Sequence, residues 1–340
     1  MKRWAWMLAF VVWTGTGLRT AEAAKAPVVT AVGTIEITVA DLDRSIGYYR
    51  DVLGFAVAGQ SEASGAAVEQ LEGVFGAHVR SARLQLGSEA IVLTQYLAPR
   101  GRPVPADMRS NDRTFQHIAI VVADMERAYK HLREHAVRHI SNEPQTLPAW
   151  NKNAGGIKAF YFADPDDHAL EVIWFPPGKG DPRWQRAGGA GSALFLGIDH
   201  TAIGVADTAR SLRFFRDALG FKVAGESENY GTEQEHLNAV FGAHLRITGL
   251  RAGSGPGIEL LEYLTPRDGR PAAPDLHAND IAHWQTVLVT TGVAQALDAA
   301  AREGGIVVSA KPVDLDDRLA GIHRAALARD PDGHGLLLAQ

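Results

Sequence analysis

The chain has 340 residues, of which 46% are hydrophobic and 21% charged, and it contains no cysteine. Its 34 basic and 39 acidic side chains leave a formal charge of −5, which argues against a protein that binds nucleic acid by neutralising phosphates. Without cysteine there are no disulfides, no zinc fingers and no thiol nucleophile. Any metal must therefore be held by His, Asp, Glu or neutral oxygen donors, so the 13 histidines carry the interest. The length suits about two domains of ordinary size.

The first segment reads as an address. Met1-Lys2-Arg3 precedes an apolar run from Trp4 to Trp13, and a small, polar stretch then ends at Ala21-Glu22-Ala23. That order is the order of a secretory signal peptide, and the run is too short for a comfortable membrane span. Cleavage is expected after Ala23, giving a periplasmic or secreted protein with no stable membrane span.

An internal repeat organises the rest. Val39 to Phe55, with its Val-Ala-Asp turn and Leu-Gly-Phe end, returns as Val205 to Phe221 at an offset of 166 residues. Val74-Phe-Gly-Ala-His78 returns as Val240-Phe-Gly-Ala-His244, and Gln95-Tyr-Leu-Ala-Pro-Arg matches Glu262-Tyr-Leu-Thr-Pro-Arg. Two homologous halves follow, over 30–175 and 194–340, joined by a Gly/Pro-rich linker over 176–193 that reads as loop. Each half divides again. A short apolar strand, an Asp that caps a helix, the helix itself and three strand-like runs open at Ile35 and again at His117, where Asp124 leads into a helix over Met125–His135. Four β-α-β-β-β units result, an α+β architecture. Arg80–Leu86, Ala90–Tyr96, Ala159–Phe162 and Ala169–Phe175 are among the predicted strands.

This pattern, the phrase from Asp207 to Phe221, and the run Asp164-Pro-Asp-Asp-His-Ala-Leu-Glu171 resemble the vicinal oxygen chelate superfamily. That superfamily includes glyoxalase I, extradiol dioxygenases, methylmalonyl-CoA epimerase and the bleomycin resistance proteins. The resemblance covers residues 30–340 and implies that two units close one cup, with a ligand on the first strand of a unit and a carboxylate on its last. Carried over unit by unit, the positions are Thr34 and Gln95, His117 and Glu171, His200 and Glu262, and Gln285 and Leu337. Only the second and third units keep His and Glu. If these two pair, one cup gains His117, Glu171, His200 and Glu262, and the other keeps Thr34, Gln95, Gln285 and Leu337. This crossed pairing is the expectation.

Imidazole with carboxylate is a field for divalent Zn, Ni, Co, Mn or Fe. Other side chains rank below the quartet. His78 and His244 recur in both halves and read as structural, while His168 and His334 belong to Asp-Pro-Asp turns. Asn229, Tyr230 and His236 lie in a segment expected to fold over the cup, and Trp150 stands with Asn151 and Lys152 in a loop expected at its rim; these are the candidate substrate contacts.

The resemblance implies a metal-dependent isomerase or lyase that moves a proton beside a chelated carbonyl of a small oxygenated substrate, with Glu171 or Glu262 carrying the proton. The rivals are an extradiol-type dioxygenase and a non-catalytic small-molecule binding or resistance protein. Four units in one chain can close both cups, so a monomer is sufficient and a homodimer is the alternative.

Overall fold

The computed structural model describes residues 27–186, 193–315 and 321–340. The predicted signal segment and its cleavage point lie outside these residues.

The first unit contains β1 (Val29–Thr38), α1 (Leu42–Asp51), β2 (Ala56–Ser64), the short α2 (Ala66–Glu72), β3 (His78–Leu86) and β4 (Glu89–Ala98). The second contains β5 (Gln116–Val122), α3 (Met125–Glu134), two short strands β6 (Arg138–His139) and β7 (Gln145–Thr146), β8 (Lys158–Ala163) and β9 (Ala169–Trp174). The predicted linker is not all loop. It holds α4 (Pro182–Arg186), whose Trp184 is buried against Ala119, Val121 and Ile173. An apolar side chain inside a Gly/Pro-rich stretch gave it something to pack.

The third unit contains β10 (Phe195–Val205), α5 (Thr208–Leu212) continuing as a π-helical turn over Arg213–Ala218, β11 (Lys222–Tyr230), α6 (Thr232–Asn238), β12 (His244–Arg251) and β13 (Gly257–Thr265). The fourth contains β14 (Trp284–Thr290), α7 (Val293–Arg302), β15 (Ile306–Val307), β16 (Val313–Asp314), β17 (Arg324–Arg329) and β18 (Gly335–Ala339). Three of the four main helices begin on the aspartate expected. Asp41, Asp124 and Asp207 accept from the backbone N–H groups of Arg44, Arg127 and Arg210, which satisfies donors a helix start leaves open. The fourth begins at Gly292 with no side-chain cap.

The units pair across the halves. β5 and β10 run antiparallel, with Ala202 opposite His117, and join the second and third units into one sheet, ordered β11-β12-β13-β10-β5-β9-β8-β6. β1 and β14 join the first and fourth units in the other sheet, ordered β15-β17-β18-β14-β1-β4-β3-β2. We call the concave faces of these sheets the inner cup (units two and three) and the outer cup (units one and four).

Strand periodicity sends alternate residues to opposite faces. On β1, Ile35 and Ile37 join the helix-side core with Leu42 and Tyr49 of α1, and with Ile118, Met125 and Phe160 of the second unit. The helices of the first half thus share one core with both sheets. Phe214, Phe215, Leu260, Leu288 and Leu297 do the same in the second half. Helix-side cores hold each half together, whereas sheet pairing ties one half to the other.

Ion pairs add a reciprocal clamp. Asp112 takes the Arg270 guanidinium at 2.6 Å, and Asp280 takes Arg102 at 2.6 Å. The backbone approaches closely at both places. A Cβ on Gly269 would stand 1.8 Å from the Asn111 carbonyl oxygen, and one on Gly101 would stand 1.9 Å from that of Asn279. Only glycine admits such contact.

Candidate metal centre

The inner cup brings three of the four expected ligands together. Phe115, just before β5, and His117 on β5 face the cup, and on β9 so does Glu171, which pairs with Ala119. His200 lies on β10 opposite Ala119. His117, Glu171 and His200 are 0%, 4% and 6% exposed, and one ligand atom from each lies within 4.8 Å of the others. His117 Nε2 is 3.2 Å from Glu171 Oε2, and His200 Nε2 is 3.7 Å from the same oxygen. Ligands held about 2 Å from a common ion stand roughly 3–4 Å apart. His200 Nε2 is buried without a hydrogen-bond partner, an expensive state for a polar atom unless something else occupies it. The donor set and its spacing therefore fit a divalent cation.

Glu262 does not join this group. Its Oε2 accepts from the backbone N–H of Thr208 at 3.2 Å and from Arg246 Nη1 at 3.1 Å. The cause is parity: Glu262 shares the helix side of β13 with Ile258 and Leu260, while Leu261 and Tyr263 face the cup. Gln95, its counterpart, does the same job in the first unit. Its Oε1 accepts from Leu42 N–H, and its Nε2 donates to the Ala40 carbonyl. Both tie the last strand to the turn before a helix.

Glu259 stands where Glu262 was expected. Its Oε2 lies 3.5 Å from His200 Nε2. The register makes it the partner of Glu171: Glu171 pairs with Ala119, two residues past His117, and Glu259 pairs with Ala202, two past His200. A signal was present in the sequence. Ala169-Leu-Glu171-Val and Gly257-Ile-Glu259-Leu are the same small–apolar–Glu–apolar phrase at the start of a last strand.

The electrostatics are those of a compact buried charge cluster. Burial disfavours the charged His200 imidazole, but Glu259, Asp199 and Glu171 overcome this and push it up to about 9. Burial raises Glu259, with Glu171 adding repulsion and His200 opposing both. Behind His200, Asp199 Oδ2 is 3.0 Å from Nδ1, and Asp199 is itself held by Arg251 and by Trp184 Nε1 at 3.0 Å. These contacts overcome the cost of burial and keep Asp199 well below the usual carboxylate range. A carboxylate on the far ring nitrogen fixes the tautomer that presents Nε2 to the cup.

The expected substrate contacts divide. Asn229 is buried, and its Oδ1 accepts from Asn151 Nδ2 at 2.7 Å. Tyr230 and Trp150 are half-exposed and stack at 4.3 Å, so the loop carrying Trp150 is bound across β11 at the rim. His236 is a correction. It lies exposed on the outer side of α6, because the buried positions of that helix are Gln234, Leu237 and Asn238. Gln234 donates to Asn238, leaving Gln234 Oε1, Asn238 Nδ2 and the Tyr263 hydroxyl buried and unpartnered. Helix α6 is latched over the cup by Ser141, whose Oγ donates to the Leu237 carbonyl at 2.6 Å and accepts from Tyr161 N–H at 2.8 Å. His78 and His244 pair with Glu62 and Glu228 at equivalent exposed places, and His168 and His334 are buried against Asp164 and Asp330 within their turns. Among the described residues, no helix is long and apolar enough to cross a membrane.

The chain is similar in sequence and fold to known proteins. A 2-epi-5-epi-valiolone epimerase from Actinomyces sp is 31% identical over 157 residues, spanning 45% of this chain and 83% of the epimerase. The crystal structure of glyoxalase I from Zea mays matches with a TM-score of 0.58 at 18% identity, covering 92% of each chain. Two single-site variants of that enzyme match with TM-scores of 0.56 and 0.57. The Glyoxalase/Bleomycin resistance protein/Dioxygenase superfamily model matches residues 31–172 and again 197–338, so the chain belongs to that superfamily as a tandem of two such domains.

Proposed function

We propose that the protein is a divalent-metal-dependent isomerase of epimerase type, working in the inner cup. The observation that carries this reading is the buried His117–Glu171–His200 group with Glu259 beside it. Those four side chains would hold the ion, which would serve as a Lewis acid toward adjacent oxygens of a small substrate.

The chain's own groups supply the rest. Glu171 sits between both imidazoles and is fixed as a ligand. Glu259 stands at the edge of the group, 3.5 Å from His200 Nε2 and with its side chain 28% exposed, so it is the carboxylate free to act. Its Oε2 is placed to take the proton from the carbon beside a substrate carbonyl, and configuration inverts when that carbon, now planar, takes a proton from water on its opposite face, without net oxidation or reduction. Gln234, Asn238 and Tyr263 offer unsatisfied polar atoms to substrate hydroxyls on the roof of the cup, while the Trp150–Tyr230 stack narrows the rim. The 31% identity to an epimerase supports this choice among the chemistries of the family. A single chain completes the site, and we place the reaction outside the cytoplasm on the signal-like start of the sequence.

One observation favours a second reading, a ring-cleaving dioxygenase. The three tightest groups are two His and one carboxylate, the set that non-haem iron oxygenases use. Glu259→Gln separates the two. In that variant the isomerase keeps its metal and loses proton exchange at the substrate carbon, followed as deuterium uptake from D2O. Oxygen consumption with a catechol by iron-loaded protein would instead establish the dioxygenase.

A further inference from the structure

The outer cup is not a degraded copy of the inner one. It encloses a cavity of about 460 Å³, a volume in the range of small-molecule sites. The positions equivalent to the four ligands are Thr34, Val92, Gln285 and Leu337, since Val92 pairs with Glu36 and Leu337 with Val287 as Glu259 pairs with Ala202. No metal set survives there.

In its place stands a different polar arrangement. Glu36 occupies the β1 position that is alanine in both inner units (Ala119 and Ala202). Its Oε2 accepts from Gln285 Nε2 at 2.6 Å, and Gln285 Oε1 lies 3.1 Å from His283 Nε2. Glu72, at the end of α2, faces Gln285 and Tyr96 from the opposite wall. It is the repeat counterpart of Asn238, as Tyr96 is of Tyr263. A serine latch holds this roof too, with Ser309 Oγ donating to the Leu71 carbonyl at 2.7 Å. Leu71, Val79, Val92 and Leu337 supply apolar wall.

We propose that the outer cup is a second, metal-free binding site whose ligand is a small organic cation, an ammonium group on an apolar body. Three observations carry the class. Glu36, Glu62 and Glu72 line the cavity, and among the described residues no Lys or Arg does. Burial and the nearby Arg329 hold His283 down to about 4, so it supplies no positive charge. The Tyr96 ring stands beside the two carboxyls, where a cation gains from an aromatic face. Burial and the neighbouring Glu36 push Glu72 up to about 7; an arriving ammonium offsets that cost by pairing with the carboxylate. The three carboxyls disfavour an anionic ligand here.

The test is calorimetric titration of the full chain with benzylammonium, cyclohexylammonium and tetramethylammonium, against benzyl alcohol and benzoate as uncharged and anionic controls. At least one ammonium should bind at one per chain, tenfold or more tighter than the alcohol, with benzoate silent. Glu72→Gln and Glu36→Gln should each weaken that binding at least tenfold while melting cooperatively. His200→Ala, which removes a ligand of the inner cup, should leave it unchanged, so this result stands or falls apart from the isomerase reading. Absence of saturable binding by all three cations, equal binding of the alcohol, or loss of binding only in His200→Ala would each overturn the proposal.

Discussion

The inner and outer cups are two outcomes of one repeat. Both have a two-unit frame, a latched roof helix and a tyrosine on a last long strand. They differ at a few cup-facing positions: His117, Glu171, His200 and Glu259 against Gln285, Leu337, Thr34 and Val92. The outer cup also carries a carboxylate, but Glu36 has moved to the first strand, where Gln285 satisfies it. The same backbone therefore yields a cluster of closely spaced ligand atoms in one cup and a hydrogen-bonded lining around open volume in the other. Which side chains face inward decides the chemistry, because the backbone is common to both.

The contrast can be broken most severely at the ligands. His117→Ala with His200→Ala should reduce bound divalent metal from one per chain to none, measured by elemental analysis, and lower turnover by about a thousandfold or more. Thr34→Ala, at the matching place in the outer cup, should leave metal content unchanged. Next comes the parity of β13. Glu259→Gln should keep the fold and cut turnover by about 10²–10⁴, whereas Glu262→Gln should stay within a few-fold in kcat and cost about 1 kcal/mol of stability through its Thr208 and Arg246 bonds.

A smaller effect is expected behind the ligands. Asp199→Asn should weaken metal binding by about 10–100-fold, read by competition with a chelator. The smallest concerns the paired turns. His168 bonds both Asp164 and the Ile281 carbonyl, while His334 has Asp330 but no partner on Nε2. His168→Ala should cost about 3 kcal/mol in urea unfolding, and His334→Ala about 1 kcal/mol less. Burial works against the charged form of His168, but Asp164 raises it above its ordinary value, so its contribution is full below about pH 6.5 and fades as pH rises. Asp164 is lowered, as its bonds to His168 overcome burial, so its share fades as pH falls below about 4. The His168→Ala deficit should be largest between these limits.

Much of this frame can be read from residues alone. The 166-residue repeat exposes the halves, the Asp caps mark the helices, and the loss of His and Glu from two units points to the crossed pairing that β5 and β10 display. The fourth carboxylate is harder. Aligning Gln95 with Glu262 is correct, yet both serve the helix side, and the cup-facing residue of the first unit is Val92, an apolar residue with no chemical signal. On a strand, a shift of one residue changes the face. His236 lies on the outer side of α6 for a related reason: in a helix of under two turns, a shift of one residue changes the face. The content of the outer cup escapes because Glu36 and Glu72 are far apart in sequence and match no ligand position.

The nested pairing has a consequence for how the chain assembles. The inner sheet uses one continuous stretch, from Gln116 to Thr265, while the outer sheet joins the first unit to the fourth through β1 and β14, with Ile35 opposite Thr286. Longer loops cost more entropy to close, and contacts between distant residues form more slowly. A chain emerging from its N-terminus can thus complete the inner cup while the first unit still lacks its partner. That unit is not idle in the meantime: α1 already shares a core with α3 and the inner sheet, which holds β1 in place as a template for β14.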